Sequence, residues 1–289
     1  MSYSIHADTK LGKLKLKVRD LDRSVKFYTD VIGFKVLGRE GNVAQLTVDG
    51  NNVFLELEQI PDAILVPERS ATGLYHFAIL VPTREQLGIT LRKLAESGIR
   101  IGQGDHLVSE ALYLSDPDLN GIEIYCDRPR SEWRTDEAGN IEMGTEAVDI
   151  QGLLALAGDK PWTGLPADTI LGHIHLHVDH LATAKAFYCD VLGFDLVADM
   201  SRRMGANFVS AGGYHHHIGM NIWAGAGAPR PPENGTGLAY YTIVLPSAEQ
   251  LQTTLDRLGK VGIPVSEHAG YWLVQDPAGN SVRLSAAGN

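Results

Sequence analysis

Leu11–Phe34 reads LGKLKLKVRDLDRSVKFYTDVIGF, and Leu171–Phe194 repeats it as LGHIHLHVDHLATAKAFYCDVLGF. Eleven of the 24 positions are identical at a fixed offset of 160. A second pair of segments, 73–99 and 237–263, agrees at twelve of 27 positions with an offset of 164. Matches that recur in the same order are the sequence signature of a duplicated unit. The chain is therefore predicted to consist of two related halves.

The boundary between the halves lies in a polar segment. A third match pairs Asp116-Pro117 with Asp276-Pro277, and each pair closes its half. Between the halves, DRPRSEWRTDEAGN at 127–140 is polar and rich in turn-forming residues, which is typical of a connecting segment. The predicted organisation is an N-terminal domain at 8–128, a linker at 129–167 and a C-terminal domain at 168–287.

Each half divides again into two smaller units. Leu14, Leu16 and Val18 alternate with lysines, which is the period of a half-buried strand. A helical run then begins at Ser24 and closes at Gly33, and strand-like runs follow it. The same order of elements restarts within each half, so the predicted unit is a βαβββ module that occurs four times. Modules one to four begin near Leu11, Tyr75, Leu171 and Ala239.

The bulk composition excludes several functional classes. The chain has 289 residues, 44% hydrophobic and 21% charged, with a formal net charge of −10. That charge argues against nucleic acid and against an anionic membrane surface. No apolar stretch approaches the roughly 20 residues that span a bilayer, and no secretory signal is visible. Two cysteines, Cys126 and Cys189, fit free thiols in a reducing compartment, so a cytoplasmic location is expected.

Two motifs carry a resemblance to a known family. FYxDVxGF follows a strand at 27–34 and at 187–194, and DPDLNGIEI ends a module at 116–124. The chain resembles the vicinal oxygen chelate superfamily (glyoxalase, bleomycin resistance and extradiol dioxygenase proteins). Within it, the chain is most similar to two-domain extradiol dioxygenases of the catechol 2,3-dioxygenase type. The resemblance implies an α+β fold of two tandem domains, whose modules pair into cup-shaped mixed β-sheets around a metal.

The resemblance also implies where the metal ligands lie. In this superfamily they come from the first strand of one module and from the first and last strands of its partner. Those positions are His173 in module three and His76 and Glu123 in module two. Two histidines and one carboxylate form a facial triad that leaves iron(II) open positions. Iron(II) is the expected cofactor and manganese(II) is the alternative, because these ligands suit both.

The other two modules have lost their ligands. Lys13 stands at the first-strand position of module one, and an ammonium cannot bind a cation. Module four has Tyr240 and Arg283 at its two positions, and a guanidinium is always charged. The usual family site lies within one domain, on modules three and four, so this chain departs from the pattern. We therefore expect module two to pair with module three, forming one central site between the domains.

Further histidines and a tyrosine match the catalytic positions of ring-cleaving enzymes. The resemblance assigns a proton shuttle to His216 in GGYHHHIGMN, and substrate contacts to Tyr113 and His106 in module two. Strand alternation predicts that His215 and His217 face opposite to His216, and either is the alternative if the register shifts. His175 and His177 share a face with His173, but residues two apart lie about 6.6 Å from each other, so these two are expected to surround the metal or to be structural rather than to bind the metal.

The predicted function is extradiol cleavage of catechol or a substituted catechol by Fe(II) and O2, giving a ring-opened semialdehyde, as in aromatic hydrocarbon catabolism. The partners are a small aromatic diol and dioxygen, without nucleic acid or membrane. A homo-oligomer is an open alternative to a monomer. Two rival functions exist within the same fold. A glyoxalase-like isomerase needs a second carboxylate at the metal, and an aromatic- or antibiotic-binding protein needs no complete triad.

Overall fold

The first half of the chain contains two βαβββ modules, as predicted. The structure is a computed structural model that describes residues 3–137 and 139–288. Module one consists of β1 (Lys10–Val18), α1 (Leu21–Phe27), β2 (Lys35–Glu40), β3 (Val43–Thr47) and β4 (Leu55–Gln59). Module two consists of β5 (Gly73–Leu80), α2 (Arg84–Glu96), β6 (Gly102–Asp105), β7 (Ser109–Ser115) and β8 (Gly121–Asp127).

The second half repeats this order after a connecting segment. The connection contains a 3₁₀ turn at Arg130–Glu132 and the helix α3 (Ile150–Ala157). Module three consists of β9 (Ile170–His177), α4 (Leu181–Lys185), β10 (Asp195–Met200), the short α5 (Ser201–Met204), β11 (Ala206–Ser210) and β12 (Ile218–Asn221). Module four consists of β13 (Gly237–Leu245), α6 (Ala248–Lys260), β14 (Val265–His268), β15 (Tyr271–Gln275) and β16 (Ser281–Ala286).

Local sequence signals explain most of these elements. In β1 the alternating apolar residues Leu14, Leu16 and Val18 are fully buried, while the lysines between them face the other side. Helix α2 begins where the Thr83 side chain accepts a hydrogen bond from the Gln86 backbone N–H. Such a cap satisfies one of the free N–H groups at a helix start.

The helix of module one begins earlier than the sequence predicts. It starts at Leu21, not Ser24, because the Asp20 side chain caps it by accepting from the Arg23 backbone N–H. A π-helical turn at Tyr28–Ile32 continues the helix. The predicted end at Gly33 is confirmed: this glycine has φ +100°, a left-handed conformation that glycine adopts without steric cost.

The strands of the described residues form two eight-stranded mixed sheets. The order β10-β11-β12-β9-β5-β8-β7-β6 joins modules three and two, and we call it the 2–3 sheet. The order β14-β15-β16-β13-β1-β4-β3-β2 joins modules four and one, and we call it the 1–4 sheet. At the centre of the 2–3 sheet, β5 and β9 pair antiparallel. The α+β class, the four modules and the pairing of module two with module three are therefore confirmed.

Each sheet takes one module from each half, so the two halves are tied together by strand pairing. β1 and β13 pair antiparallel at the centre of the 1–4 sheet, as β5 and β9 do in the other sheet. The division of the chain at 8–128, 129–167 and 168–287 stays a prediction, because sheet membership does not follow it. Among the described helices, none is long and apolar enough to cross a membrane.

The two repeated motifs meet in the core between the sheets. The hydroxyl of Tyr28, in the first FY pair, donates to Asp116 of the DP motif at 2.9 Å. Tyr188 donates to Asp276 in the second half at 3.0 Å. All four side chains are buried, and buried polar groups need such partners. The motifs that carry the family resemblance thus connect module one to module two and module three to module four.

Candidate metal centre

Three neighbouring strands at the middle of the 2–3 sheet position the predicted ligands. His76 lies on β5, Glu123 on the parallel strand β8, and His173 on the antiparallel strand β9. Ala78 is in register with both Glu123 and His173. Residues two apart on a strand share a face, so Ala78 points to the same side as His76 and its methyl group leaves the space between the ligands open.

The ligand atoms of these three residues converge. Nε2 of His76 lies 3.0 Å from Oε2 of Glu123, and Nε2 of His173 lies 3.1 Å from the same oxygen. One donor atom from each residue falls within 4.8 Å of the others, and all three residues are buried. The buried His76 Nε2 forms no hydrogen bond within the described residues, despite its short distance to Glu123. This donor set and its unused nitrogen fit a divalent metal of the facial-triad type.

The electrostatics of the triad favour the ligating protonation states. Burial lowers the pKa of His173 to about 4, although Glu123 opposes that shift. Burial also disfavours the charged form of Glu123, but the interactions with the neighbouring His173 and His76 outweigh it and hold the pKa of Glu123 well below its usual range. A neutral imidazole and an ionised carboxylate are the forms that bind metal.

Tyr113 and His106 form a hydrogen-bonded pair beside the triad. The Tyr113 ring lies 5.7 Å from the His76 ring, and its hydroxyl lies 2.6 Å from His106 Nε2. Nδ1 of His106 lies 2.8 Å from the carbonyl oxygen of Gly144, which can only accept a hydrogen bond. His106 therefore carries its proton on Nδ1, and Nε2 accepts from Tyr113. Burial, with the negative charge of Glu123, raises the pKa of Tyr113 well above its usual range.

The structure places His216 against the triad. Its ring centroid lies 4.1 Å from that of His173 and 5.0 Å from that of Phe208. The side chain is buried, and burial lowers the pKa of His216 well below its ordinary value. All three residues predicted to be catalytic, His216, Tyr113 and His106, thus lie around the predicted ligands.

The predicted orientation of His215 is wrong. Its Nδ1 lies 2.8 Å from Nδ1 of His216, so the two rings meet instead of facing opposite ways. Strand alternation fails here because β11 ends at Ser210 and β12 begins only at Ile218, which leaves the histidine run on a loop. His217 accepts a hydrogen bond from the Ala211 backbone and does not join the pair.

His175 and His177 line the same concave face as His173. The His175 ring lies 5.1 Å from His76 and is surrounded by Tyr75 and Trp223 at similar distances. A Cβ at Gly219, opposite His175 on β12, would lie 2.9 Å from its ring. His177 Nδ1 lies 2.6 Å from the side-chain oxygen of Asn221. Both histidines are part of the packing around the triad.

The connecting segment packs over the concave face of the 2–3 sheet, and the sequence analysis did not predict this contact. Trp133 contacts His215 with ring centroids 5.2 Å apart, and Met143 packs against the buried cluster of Ala198, Ala206 and Phe208. Gly144 holds His106, as described above. A cluster of turn formers indicates a linker but not what it covers, so no sequence signal identified these residues. Asp127, by contrast, could have been found from the sequence, because it lies four residues after Glu123 on the same strand and therefore on the same face. Its Oδ1 lies 2.8 Å from Nε2 of His215.

A cavity of about 580 Å³ is lined by residues of both sheets, and of the three triad residues His76 is part of its lining. His76 and Tyr113 line it from the 2–3 sheet, and Lys17 and Gly237 line it from the 1–4 sheet. Arg69, on the loop between β4 and β5, also lines it.

The corresponding positions of the 1–4 sheet hold a charge cluster instead of metal ligands. Lys13 Nζ lies 2.5 Å from Oε1 of Glu56, and the Tyr240 hydroxyl donates to Oε2 of Glu56 at 2.6 Å. Arg283 lies beside them, with its guanidinium 5.9 Å from the Tyr240 ring. Loss of the ligands in modules one and four therefore leaves a carboxylate satisfied by an ammonium and a phenol.

Comparison with known proteins agrees with this geometry. The sequence profile of the Glyoxalase/Bleomycin resistance protein/Dioxygenase superfamily matches residues 10–124 and 170–284. The chain belongs to this superfamily. Catechol-2,3-dioxygenase from Bacillus subtilis (strain 168) is 59% identical over 274 residues, covering 95% of this chain and 96% of that protein. Family membership and the buried triad together support a metal cofactor.

One sequence and one crystal structure are more distantly similar to this chain. Biphenyl-2,3-diol 1,2-dioxygenase 3 from Rhodococcus globerulus is 30% identical over 144 residues, which is 48% of this chain and 75% of that protein. The crystal structure of glyoxalase I from Zea mays superposes with a TM-score of 0.55 at 16% identity, covering 96% of this chain and 92% of that one. The second likeness shows a shared fold alone.

Proposed function

We propose that this protein is an extradiol dioxygenase that cleaves catechol or a substituted catechol with dioxygen. The observation that carries the proposal is the convergence of His76, Glu123 and His173 on one buried point of the 2–3 sheet. The relative that is 59% identical over nearly the whole chain bears the name of this activity. The product is a ring-opened semialdehyde or a related ring-fission compound.

The three ligands are proposed to hold Fe(II), with Mn(II) as the alternative. When bound, such an ion supplies the electron transfer between a chelated diol and dioxygen, at positions that the triad leaves open. With two neutral imidazoles and one carboxylate, the loaded site has a net charge of +1, which favours a catecholate anion. The chain's own residues then have to orient the diol, exclude water and move protons.

His216 is proposed to accept and return a proton at the reacting diol. Histidine serves this role because it can act as both acid and base, and the His216 ring lies against the ligand His173. The Tyr113 hydroxyl, which donates to His106, is proposed to accept a hydrogen bond from an O–H group of the diol. The diol is proposed to approach the metal centre from the cavity that His76 and Tyr113 line.

The isomerase alternative lacks a residue that it needs. A glyoxalase-like reaction requires a second carboxylate at the metal, and the last-strand position of module three is Gly219. That glycine sits against His175, so the concave face has no room there for a larger side chain.

The free thiols Cys126 and Cys189 fit a reducing compartment, and we therefore propose that the enzyme is cytoplasmic.

Oxygen uptake tests the proposal directly. The protein is loaded with Fe(II) without oxygen, then mixed with catechol in oxygenated buffer while oxygen and the absorbance of a ring-opened product are followed. We expect one oxygen consumed per catechol, and no activity in His173→Ala. Metal binding without oxygen uptake on any catechol would overturn the dioxygenase assignment, and failure to bind metal would favour a binding protein.

A further inference from the structure

A chain of three hydrogen-bonded side chains begins at His216 and ends at Asp127. Nδ1 of His216 lies 2.8 Å from Nδ1 of His215, and Nε2 of His215 lies 2.8 Å from Oδ1 of Asp127. The His215 side chain is fully buried and that of Asp127 is one-quarter exposed. Asp127 comes from the end of β8, the strand that carries Glu123, whereas the histidines come from the loop before β12.

We propose that Asp127, acting through His215, fixes the tautomer of His216 so that Nε2 of His216 is the proton acceptor beside the metal ligands. The inference deepens the function proposed above and rests on it for the catalytic role of His216. Asp127 and His215 are positioning residues, because they act through His216.

The hydrogen-bonding chemistry of the three groups dictates this assignment. An ionised carboxylate can only accept, so Nε2 of His215 must carry the proton that it shares with Asp127. In a neutral imidazole the other nitrogen is then an acceptor, so Nδ1 of His215 accepts from Nδ1–H of His216. The single N–H proton of the neutral His216 ring therefore lies on Nδ1. Its Nε2 keeps a lone pair and forms no hydrogen bond within the described residues.

The surroundings of Asp127 hold the relay in one arrangement. The Tyr214 hydroxyl donates to Oδ1 of Asp127 at 3.2 Å, and the Tyr125 hydroxyl lies 2.7 Å from that of Tyr214. Because Tyr214 uses its proton on Asp127, Tyr125 is the donor in the second contact. A Cβ at Gly172 would lie 1.8 Å from the Tyr125 oxygen, so only glycine leaves room for this network.

The relay has a simple consequence for proton transfer. A diol O–H bond breaks, its proton binds to Nε2 of His216, and the diol oxygen keeps the electron pair. His216 becomes an imidazolium whose Nδ1–H still donates to His215, and the negative charge of Asp127 compensates the new positive charge. A carboxylate that orients a histidine in this way stabilises the protonated ring without taking the proton itself.

Nuclear magnetic resonance of the histidine rings tests the tautomers without any turnover. The full chain is labelled with ¹⁵N-histidine and loaded with Zn²⁺, which is diamagnetic and binds the same ligand types. His215→Phe and His216→Gln variants assign the two rings. We expect the proton on Nε2 of His215 and on Nδ1 of His216. A proton on Nε2 of His216 in the unaltered chain would overturn the proposal.

Kinetics of the Fe(II) enzyme supply the second arm. Asp127→Asn removes the charge with little change in shape, and we expect kcat to fall by about 10- to 100-fold with KM nearly unchanged. His215→Phe keeps a ring and should give the same loss if Asp127→Asn does not fold. Asp127→Glu should recover part of kcat. Asp199→Asn, which removes a carboxylate from β10 of the same sheet, is the matched control and should leave kcat unchanged.

The two arms separate this inference from the proposed function. If the unaltered enzyme cleaves catechol but Asp127→Asn and His215→Phe retain full kcat, the relay is wrong and the dioxygenase assignment stands. If no catechol is cleaved, the assignment fails, while the ring spectra of Asp127→Asn still decide the relay. Unchanged tautomers in that variant would contradict it, and loss of the Nδ1 proton of His216 would support it.

Discussion

The two sheets of this protein have the same architecture and different chemistry on their concave faces. At an offset of 160, Lys13 in the 1–4 sheet corresponds to His173 in the 2–3 sheet, and Arg283 corresponds to Glu123. The last-strand positions of modules one and three differ as well. The pairing of β1 with β4 places Glu56 opposite Lys15, and the pairing of β9 with β12 places Gly219 in the equivalent position.

The difference shows that the fold provides positions and the side chains decide what occupies them. In the 2–3 sheet two imidazoles and a carboxylate converge with an unused nitrogen at His76. In the 1–4 sheet the Lys13 ammonium forms an ion pair with Glu56, so a side chain of the protein, not a metal ion, neutralises the carboxylate. One duplicated frame therefore holds a candidate metal centre in one sheet and an internal ion pair in the other.

The largest effect should come from removing the carboxylate of the metal centre. Glu123→Gln keeps the shape of the side chain but removes its charge, so we expect loss of metal binding and of oxygen uptake. Glu56→Gln is the same change in the other sheet and should leave both unchanged. Metal content and catechol-dependent oxygen uptake measure the pair. Equal losses in both variants would contradict a single metal centre in the 2–3 sheet.

Restoring ligands to the 1–4 sheet would sharpen the comparison. In a Lys13→His, Tyr240→His, Arg283→Ala variant, two imidazoles and Glu56 occupy ligand positions of the frame. We expect the stoichiometry of Zn²⁺ binding to rise from one ion to two per chain, because the repulsive cations are gone and a facial triad is complete. Zinc titration with elemental analysis measures it. One ion per chain in a folded variant would mean that strand geometry also differs between the sheets.

The ion pair of the 1–4 sheet should contribute to stability. Lys13→Met leaves the buried Glu56 without its ammonium, and we expect the free energy of unfolding to fall by about 1–3 kcal/mol. Urea denaturation measures the loss. Adding Glu56→Gln should recover much of it, because no uncompensated charge then remains. Losses that simply add in the double variant would show that the two residues do not interact.

The smallest effect is a difference in pH response between the two sheets. Burial lowers the pKa of His173 to about 4 and that of His217 to about 3. In the unfolded chain these histidines have the ordinary pKa near 6.5. Below that pH they are protonated in the unfolded chain but stay neutral in the folded chain. The free energy of unfolding of the metal-free protein should therefore fall as the pH drops from about 6.5 toward 4.

The 1–4 sheet should respond only in more acidic solution. Burial opposes ionisation of Glu56, but Lys13 and Tyr240 outweigh it and lower its pKa below the ordinary 4.5. The stability that Glu56 contributes is present above that value and is lost as the pH falls through its lowered pKa. Urea denaturation at a series of pH values separates the windows. His217→Asn should flatten the upper window alone, and a profile that it leaves unaltered would contradict the assignment.

Much of the fold and of the candidate site was accessible from the sequence. The alternation of Leu14, Leu16 and Val18 and the glycine at 33 are local signals, and the strand and the helix end that they predict are present. The spacing to the FY motif predicts His173 as a metal ligand, and the structure places His173 on β9 with its Nε2 3.1 Å from Oε2 of Glu123.

Other parts of the site could not be predicted because they depend on distant contacts. The histidine run at 215–217 was treated as a strand, but it lies on a loop whose shape is set by Asp127, Trp133 and Tyr214. The Gly144 carbonyl that orients His106 lies 38 residues further along the chain. A backbone carbonyl has no signature in the sequence, so this contact was invisible.

By itself, the sequence determined the duplication, the four βαβββ modules and the residue types at each ligand position. These features are local, because hydrophobic period, capping and motif spacing act within one module. The sequence also predicted that module two pairs with module three, but only the tertiary structure gave the register of β5 against β9, which brings Glu123 against His173, 50 residues away along the chain. The tertiary structure also decided that Asp127 reaches His216 through His215. The first outcome depends on long-range strand pairing and the second on side-chain contacts between a strand end and a distant loop, and no single module specifies either.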